Sequence, residues 1–161
     1  MPKQLFNYVD ENNIEKLKEL LDSAAEVNVK TNDGYTPLHW ASINGRTEVV
    51  KLLLAHGADA NTKDKYGWTP LYCASRYGRT EVVKLFLEHG ADVNAKNNDG
   101  DTALLWASYN GHIEIVKLLI KHGVDVNSKD NYGKTSLYYA HYNRRTKIVK
   151  LLIDGGAKFD V

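Results

Sequence analysis

The chain has 161 residues, enough for one ordinary domain, and its 43% hydrophobic and 25% charged residues are typical of a soluble globular protein. Its formal net charge of +1 favours neither a nucleic-acid-binding protein nor an acidic tail. No apolar run approaches the ~18 residues that a membrane span needs, and the single cysteine, Cys73, excludes an intramolecular disulfide and a cysteine-rich zinc site.

A stretch of eight residues recurs at intervals of 33 positions. It reads Gly67-Trp68-Thr69-Pro70-Leu71-Tyr72-Cys73-Ala74, and its counterparts are residues 34–41, 100–107 and 133–140. A fixed period of this length is the signature of stacked supersecondary units. The chain therefore divides into five units, which are residues 1–31, 32–64, 65–97, 98–130 and 131–161.

The first and the last of these units differ from the three full units between them. Residues 1–31 lack the Thr-Pro pair and carry Lys3, Lys16 and Glu19 at helical positions. An end unit has one face in water, so this polarity predicts an N-terminal capping unit. Residues 131–161 are shortened and are interpreted as a C-terminal capping repeat.

Each full unit carries the local signals of a short helix after a turn. Gly34 can adopt a positive φ at little energetic cost, Thr36 is placed as the N-cap, and Pro37 suits the first helical position. The helix should be about two turns long and end at Gly45. Arg144 takes the place of this glycine in the last unit, and because arginine tolerates the left-handed region poorly, we expect a local change there.

A second helix gives the strongest apolar signal of the unit. Glu48-Val49-Val50-Lys51-Leu52-Leu53-Leu54 recurs with small changes as residues 81–87, 114–120 and 147–153. The apolar residues should face the partner helix and the next unit, while Lys51 and its counterparts point outward. Glu48 and Lys51 form an i,i+3 pair of the kind that stabilises a helix by ~0.2–0.5 kcal/mol.

The repeated unit resembles the ankyrin repeat. The resemblance rests on Gly34-Tyr35-Thr36-Pro37-Leu38-His39-Trp40-Ala41, on Gly45, on the helix from Glu48 and on residues 57–61, and it covers essentially the whole chain. It implies one all-α domain over residues 1–161. That domain would be an ankyrin-repeat solenoid of stacked helix-turn-helix units with projecting β-hairpin fingers.

The resemblance assigns a family role to two sets of equivalent positions. His39 keeps the family histidine, whereas Tyr72, Leu105 and Tyr138 replace it and leave those units without the residue that makes the family's side-chain-to-backbone network. The family's hairpin asparagine falls at Asn28, Asn61, Asn94 and Asn127. Such asparagines can be hydroxylated in the family, but here we interpret them as side chains that bond the local backbone of the turn.

No pattern indicates a catalytic, metal or cofactor site. His56, His89 and His122 share one position in successive units, but helices ~8–10 Å apart cannot bring them to the ~2.0–2.1 Å bonds of one zinc ion. We interpret them as imidazoles near helix C-termini. No local motif places a base against Cys73, and neither a phosphate-binding loop nor a gathered basic patch indicates a nucleotide or nucleic-acid partner.

Aromatic residues concentrate where ankyrin partners bind, at the fingertips and the first-helix edges of the concave face. These positions hold all three tryptophans and seven of the ten tyrosines, residue types that are enriched in binding hot spots. The predicted partner-binding residues are Tyr35, Trp40, Lys65, Tyr66, Trp68, Arg76, Tyr77, Asp99, Asp101, Trp106, Tyr109, Tyr132, Tyr139 and Tyr142. Alternatively, Trp40 and Trp106 fill gaps between first helices.

These observations favour a non-catalytic protein–protein interaction scaffold that is a monomer and binds a protein the sequence does not name. One alternative is self-association, through the aromatic groove or through Ile148, Leu152 and Ile153 at the end. Another is a small enzyme that uses Cys73 and histidines. Because residues 1–8 are too weakly apolar for a secretory signal, we expect a cytoplasmic protein, or one delivered to a host cytoplasm if it is a microbial effector.

Overall fold

The computed structural model describes residues 2–159, so Met1, Asp160 and Val161, at the ends of the predicted domain, lie outside the described residues. Within this range the chain forms ten α-helices and one isolated β-bridge, between Lys129 and Thr135. The helices are α1 (Pro2–Asp10), α2 (Ile14–Asp22), α3 (Pro37–Asn44), α4 (Thr47–Ala55), α5 (Pro70–Arg76), α6 (Thr80–Glu88), α7 (Ala103–Asn110), α8 (Ile113–Lys121), α9 (Ser136–Tyr142) and α10 (Thr146–Asp154). None of them is long and apolar enough to cross a membrane. The predicted all-α class is confirmed.

The threonine of each repeat caps its first helix as predicted. The hydroxyl of Thr36 accepts a hydrogen bond from the backbone N–H of His39 at 3.3 Å, and Thr69, Thr102 and Thr135 make the same contact three residues on. In α3 the Nδ1 of His39 also accepts from the N–H of Thr36 at 3.1 Å. Tyrosine and leucine cannot make this second bond, so α3 alone among the described helices has the reciprocal arrangement.

The chain reversal after the first helix is the same in the last unit as in the others. Gly45 adopts φ 68°, and Arg144, at the equivalent position, adopts φ 56°. The N–H of Arg145 then donates to the carbonyl of Ala140 at 2.8 Å, as the N–H of Arg46 donates to that of Ala41 at 2.9 Å. The expected local change at Arg144 is therefore wrong, because the repeat holds the arginine in the left-handed region.

The helices stack in two rows, with each unit supplying one helix to each row. The first row is α1, α3, α5, α7 and α9, and the second is α2, α4, α6, α8 and α10. Fully buried alanines such as Ala41 and Ala74 let neighbouring first helices approach closely. The first helices contact one another more extensively than the second helices do, so the first row is the more closely packed of the two.

The apolar face of each second helix is buried between units. Val50, Leu53 and Phe86 are inaccessible to solvent. Two of the residues proposed above for self-association, Ile148 and Leu152, are also buried, and only Ile153 of those three is exposed. Ile148 and Leu152 were therefore wrong candidates for self-association, because α10 packs against α8 and α9.

Long polar side chains tie each unit to the one before it. Arg79 Nε donates to the carbonyl of Ile43 at 2.9 Å, and His112 Nε2 lies 3.0 Å from the carbonyl of Arg76. Arg46 and Arg145 make the equivalent contact in the second and last units. Each acceptor belongs to the last turn of a first helix, where carbonyls lack helical partners and positive charge is favoured.

The hairpin asparagines also bridge units, which corrects the interpretation that they bond their own turns. Asn61 Oδ1 accepts from the N–H of Asp92 at 2.8 Å, one unit further along. Asn28, Asn94 and Asn127 do the same with Asp59, Asp125 and Lys158. The local bond belongs instead to the aspartates, since Asp59 Oδ1 accepts from the N–H of Asn61.

The predicted contacts of the outer helices are present. Lys51 and Glu48 form an exposed ion pair at 3.1 Å, and α6 and α8 repeat it. The Nδ1 of His56 lies 2.9 Å from the carbonyl of Leu52 at the C-terminus of α4, and His89 and His122 occupy the same place on α6 and α8. The interpretation of these imidazoles as C-terminal helix contacts is therefore confirmed.

Candidate functional site

Each finger is a tight turn built around one polar side chain. The Oδ1 of Asp64, a residue 7% exposed, accepts from the N–H groups of Tyr66 at 2.8 Å and Trp68 at 2.9 Å. Asn97 and Asp130 do the same in the next two fingers. The sequence interpretation missed this column, although its signal is the recurrence of a short polar residue 33 positions apart, with Thr31 in the first finger.

Backbone hydrogen bonds join neighbouring fingers side by side. The N–H of Lys65 donates to the carbonyl of Asp33, that of Asn98 to the carbonyl of Tyr66, and that of Asn131 to the carbonyl of Asp99, at 2.9 to 3.0 Å. Within each finger the turn is closed by bonds such as that from the N–H of Asp64 to the carbonyl of Trp68. The fingertip residues are thus held in one row by backbone contacts rather than by paired strands.

A chain of contacting rings runs from the second finger to α9, the first helix of the last unit. Trp68 lies 5.5 Å from Tyr66 between ring centroids, and on its other side it stacks at 5.4 Å on the buried ring of Tyr72. The guanidinium of Arg76 lies 5.1 Å from the ring of Trp68 and 4.5 Å from that of Trp106. One arginine therefore connects two tryptophans of successive units through cation–π contacts.

The same chain of rings continues across the third full unit and the last unit. Trp106 contacts Tyr109 at 5.2 Å, and Tyr109 contacts Tyr139 at 6.0 Å. Tyr139 then contacts Tyr138, which stacks on Tyr142 at 6.2 Å. We call the members of this chain that are at least partly exposed, together with Arg76, the aromatic strip. Its members are Tyr66, Trp68, Arg76, Trp106, Tyr109, Tyr138, Tyr139 and Tyr142.

Other predicted site residues lie beside the strip or apart from it. Tyr77 contacts the strip through Arg76, and Lys65 lies over the Tyr66 ring while it pairs with Asp33. Tyr35 and Trp40 form a separate pair at 5.9 Å. Tyr132 is 82% exposed and contacts no other ring within residues 2–159, and Asp99 is exposed as well.

One strip residue, Tyr138, is absent from the predicted set. It was interpreted as a replacement for the family histidine, and the residues at that position in the preceding units are buried. Tyr138 is 43% exposed, whereas Tyr72 at the same position is 3% exposed. The missing signal is its place in the last unit, where no described unit follows to cover it.

Two of the strip's rings are fixed by carboxylates. The indole N–H of Trp106 donates to Oδ2 of Asp101 at 2.9 Å, and the hydroxyl of Tyr139 donates to Oδ2 of Asp130. Partial burial raises the pKa of Asp101, although the bond from Trp106 acts in the opposite direction. Burial and the neighbouring Asp130 carboxylate likewise raise the pKa of the Tyr139 hydroxyl. These rings are part of the framework and also present partly exposed faces.

The environment of Cys73 is unlike that of a reactive cysteine. The residue is inaccessible to solvent, and burial raises the pKa of its thiol. A nucleophilic cysteine needs the opposite, a lowered pKa and access for the substrate. His39, the histidine of the preceding unit, is itself buried and bonded to Thr36 and to the carbonyl of Trp68. The geometry thus gives no support to chemistry at Cys73.

Comparisons with known proteins agree with this architecture. The profile described as "Ankyrin repeats (3 copies)" matches residues 5–97 and 95–161. A protein named "Protein VAPYRIN-LIKE" from Medicago truncatula is 51% identical over 37 residues, which are 23% of this chain and 8% of that protein. The matched stretch is therefore a small part of the length of that relative.

Proposed function

This chain belongs to the ankyrin repeat family, and from that premise we propose that it is a non-catalytic scaffold which binds a partner protein through its fingers and first-helix edges. Ankyrin repeats are a protein–protein interaction module. The observation that carries the proposal is the aromatic strip, because it is a continuous set of partly exposed rings on the fingers and the first helices. We place the partner on the side of the stack that the fingers and the first helices form.

The strip has the physical properties of a binding hot spot. Tyrosine and tryptophan offer large contact areas with few rotatable bonds, and each also carries one polar atom. Contacts between the rings, and the carboxylates that hold Trp106 and Tyr139, restrict these side chains before a partner arrives. Less conformational entropy is then lost on binding. We expect a standard-size interface that buries ~1,200–2,000 Å² in total.

Several further features belong to the same proposal. The domain is one unit over residues 1–161, with residues 1–31 and 131–161 as its capping units. It acts as a monomer without catalysis, metal, cofactor or nucleic acid. The buried thiol of Cys73 suits a reducing compartment, and we propose the cytoplasm, or a host cytoplasm if the chain is an effector.

The test compares affinity capture by the wild type and by a variant altered in the strip and in the adjoining Tyr77, which is called the strip variant. Trp68→Ala, Tyr77→Ala and Tyr109→Ala are combined in one chain, and the captured protein is then titrated against each single variant. We expect Trp68→Ala and Tyr77→Ala each to weaken binding by ~2 kcal/mol or more. Trp68 also stacks on buried Tyr72, so the unfolding midpoint of each variant is measured beside its affinity.

A matched control alters three residues of the opposite side of the stack. Lys51→Ala, Lys84→Ala and Lys117→Ala remove exposed side chains from α4, α6 and α8. The proposal expects this triple variant to retain the partner. Equal retention of the partner by the strip variant would place the interface elsewhere.

A further inference from the structure

Arg76 is the only positively charged side chain of the aromatic strip. It ends α5, and the equivalent residues of the other units that carry the eight-residue stretch are Ile43, Tyr109 and Tyr142. The dipole of α5 favours a positive charge at this end of the helix. The dipole does not determine where the guanidinium lies, which is decided by the rings around it.

Three aromatic rings surround the guanidinium of Arg76. Its central carbon lies 4.5 Å from the ring centroid of Trp106, 5.1 Å from that of Trp68 and 5.7 Å from that of Tyr77. A cation–π contact engages the face of a ring and uses none of the five N–H donors of an arginine. The rings therefore restrict the orientation of the guanidinium and leave its hydrogen-bonding groups unengaged.

The N–H groups of Arg76 have no acceptor among residues 2–159, since neither an ion pair nor a hydrogen bond joins its guanidinium to this part of the chain. Arg79 and Arg145 differ, because each donates its Nε–H to a carbonyl of the preceding unit, at 2.9 and 3.3 Å. Those two arginines attach one unit to another, whereas the half-buried Arg76 has its donors unused. The planar fork of an arginine matches a carboxylate through two parallel hydrogen bonds.

The carboxylates of the neighbouring fingers do not pair with Arg76 in the described part of the chain. Asp64 is buried and accepts from two N–H groups of its own turn, and Asp101 accepts from the indole N–H of Trp106. Asp99 is exposed at the tip of the third finger, where water and salt screen its charge. Arg76 is less exposed, so its charge acts more strongly on a group that approaches the rings.

We propose that Arg76 is the charged anchor of the interface, and that it binds the carboxylate of an aspartate or glutamate of the partner protein. The carboxylate accepts hydrogen bonds from two N–H groups of the guanidinium, while apolar groups of the partner cover Trp68 and Trp106. This inference rests on the proposed function and adds to it the chemistry that the strip selects. The same rings without Arg76 would select only apolar and aromatic groups.

The probe for the experiment is a peptide selected on the wild type from a display library of random sequences. We expect the enriched peptides to carry at least one Asp or Glu beside aromatic or aliphatic residues. The peptide must bind at the strip, so its affinity for the variant with Trp68→Ala and Tyr77→Ala is measured first. That double variant should bind about tenfold or more weakly.

Substitutions of Arg76 then test its role. Arg76→Gln removes the charge and should bind the peptide about tenfold or more weakly, because hydrogen bonds to a charged group are lost. Arg76→Lys keeps the charge without the planar fork, and its affinity should lie between those of the wild type and Arg76→Gln. The matched control is Lys84→Gln, which makes the same change in net charge on the opposite side of the stack and should keep the affinity of the wild type.

A double-mutant cycle separates pairing with a carboxylate from support of the rings. Each acidic residue of the peptide is replaced in turn by its amide, and each copy is titrated against the wild type and Arg76→Gln. For one acidic residue the two changes together should cost little more than either change alone, because both remove the same contact. If Arg76 only holds Trp68 and Trp106 in place, the two losses multiply instead, and the unfolding midpoint of Arg76→Gln falls.

The outcomes distinguish this inference from the proposed function. Weak binding by Trp68→Ala with Tyr77→Ala, together with peptides that lack acidic residues or with full affinity of Arg76→Gln, would overturn the inference and leave the proposed function standing. Multiplied losses in the cycle would overturn it as well. Peptides that bind equally well to Trp68→Ala with Tyr77→Ala, or no enriched peptide at all, would contradict both.

Discussion

The three full units and the last unit share one pattern of residues but differ in what covers them. Tyr72 in the second full unit is 3% exposed, and Tyr138 at the same position of the last unit is 43% exposed. Both follow a capping threonine by three residues, and both N–H groups donate to that threonine. Their local structure is therefore equal, and the following unit accounts for the difference in burial.

This comparison separates two sources of structure in a solenoid. Local residues determine the helices, their caps and their ends, whereas burial depends on contacts with neighbouring units. The same substitution should therefore have unequal effects at equivalent positions. Measured differences between such pairs report the contribution of the neighbouring unit directly.

The largest expected difference is between Tyr72→Ala and Tyr138→Ala. The first removes a buried ring that stacks on Trp68 and accepts a bond from Asn97, and it should lower the free energy of unfolding by ~3–5 kcal/mol. The second removes a ring with an exposed face and should cost about 1 kcal/mol. Urea denaturation followed by circular dichroism measures both. Equal losses would show that the following unit contributes little to this column.

His39 offers a second comparison, because Leu105 fills its position in the third full unit. His39→Leu leaves the N–H of Thr36 and the carbonyl of Trp68 without their side-chain partner. Unsatisfied buried groups of this kind cost about 1–3 kcal/mol. The loss should be seen at pH 7, in the same denaturation measurement.

The same variant should remove a pH dependence. Burial lowers the pKa of His39 below its ordinary value of 6.5, so the unfolded chain binds a proton at a higher pH than the folded chain does. Stability from this residue is complete above 6.5 and is lost as the pH falls through the folded pKa. The wild type should therefore lose more stability than His39→Leu between pH 7 and pH 5. Parallel curves for the two proteins would contradict this assignment.

The features common to all units were predictable from the sequence, and those that depend on neighbours were not. Thr36 and Gly45 have the predicted roles because the signals for capping and chain reversal lie within a few residues of them. Asn61 was assigned to its own turn, but its acceptor atom contacts the next unit. A linear pattern gives the spacing of equivalent residues, but not which backbone group lies opposite a side chain one unit away.

The candidate site shows the same division. The repeat frame placed Trp68, Arg76 and Trp106 on fingers and first helices. The contacts of the guanidinium with both indoles depend on side-chain conformations in two units. Tyr138 was missed because its exposure follows from the absence of a later finger among the described residues. Asp64 was missed because a short polar residue before a turn is common in any one unit, and only its recurrence at intervals of 33 positions distinguishes it.

A smaller difference is expected at the end of the first helix. Arg144→Gly places glycine at φ 56°, where an L residue is strained, and should stabilise the chain by about 0.5–1 kcal/mol. Gly111→Ala is the reverse change in the third full unit. It should destabilise by a larger amount, because its Cβ would also lie 3.0 Å from the Arg145 guanidinium. Thermal unfolding of both variants measures the shift, and destabilisation by Arg144→Gly would contradict the strain argument.

The smallest expected effect concerns the contact between the first unit and the next. His56 Nε2 lies 2.9 Å from Oδ1 of Asp22, and its Nδ1 contacts the carbonyl of Leu52. The Leu52 carbonyl, and then the Asp22 carboxylate, raise the pKa of His56 above its ordinary value. The stability from this contact is therefore complete below pH 6.5 and is lost as the pH rises through the folded pKa, the opposite sign to His39. The contact between His56 and Asp22 can be tested by one substitution. Asp22→Asn should lower the pKa of His56, which NMR titration of its imidazole protons measures.

Because both side chains are partly exposed, solvent screening keeps the effect on the free energy of unfolding small. An unchanged titration would mean that the first unit is attached to the next by its buried leucines without help from this pair.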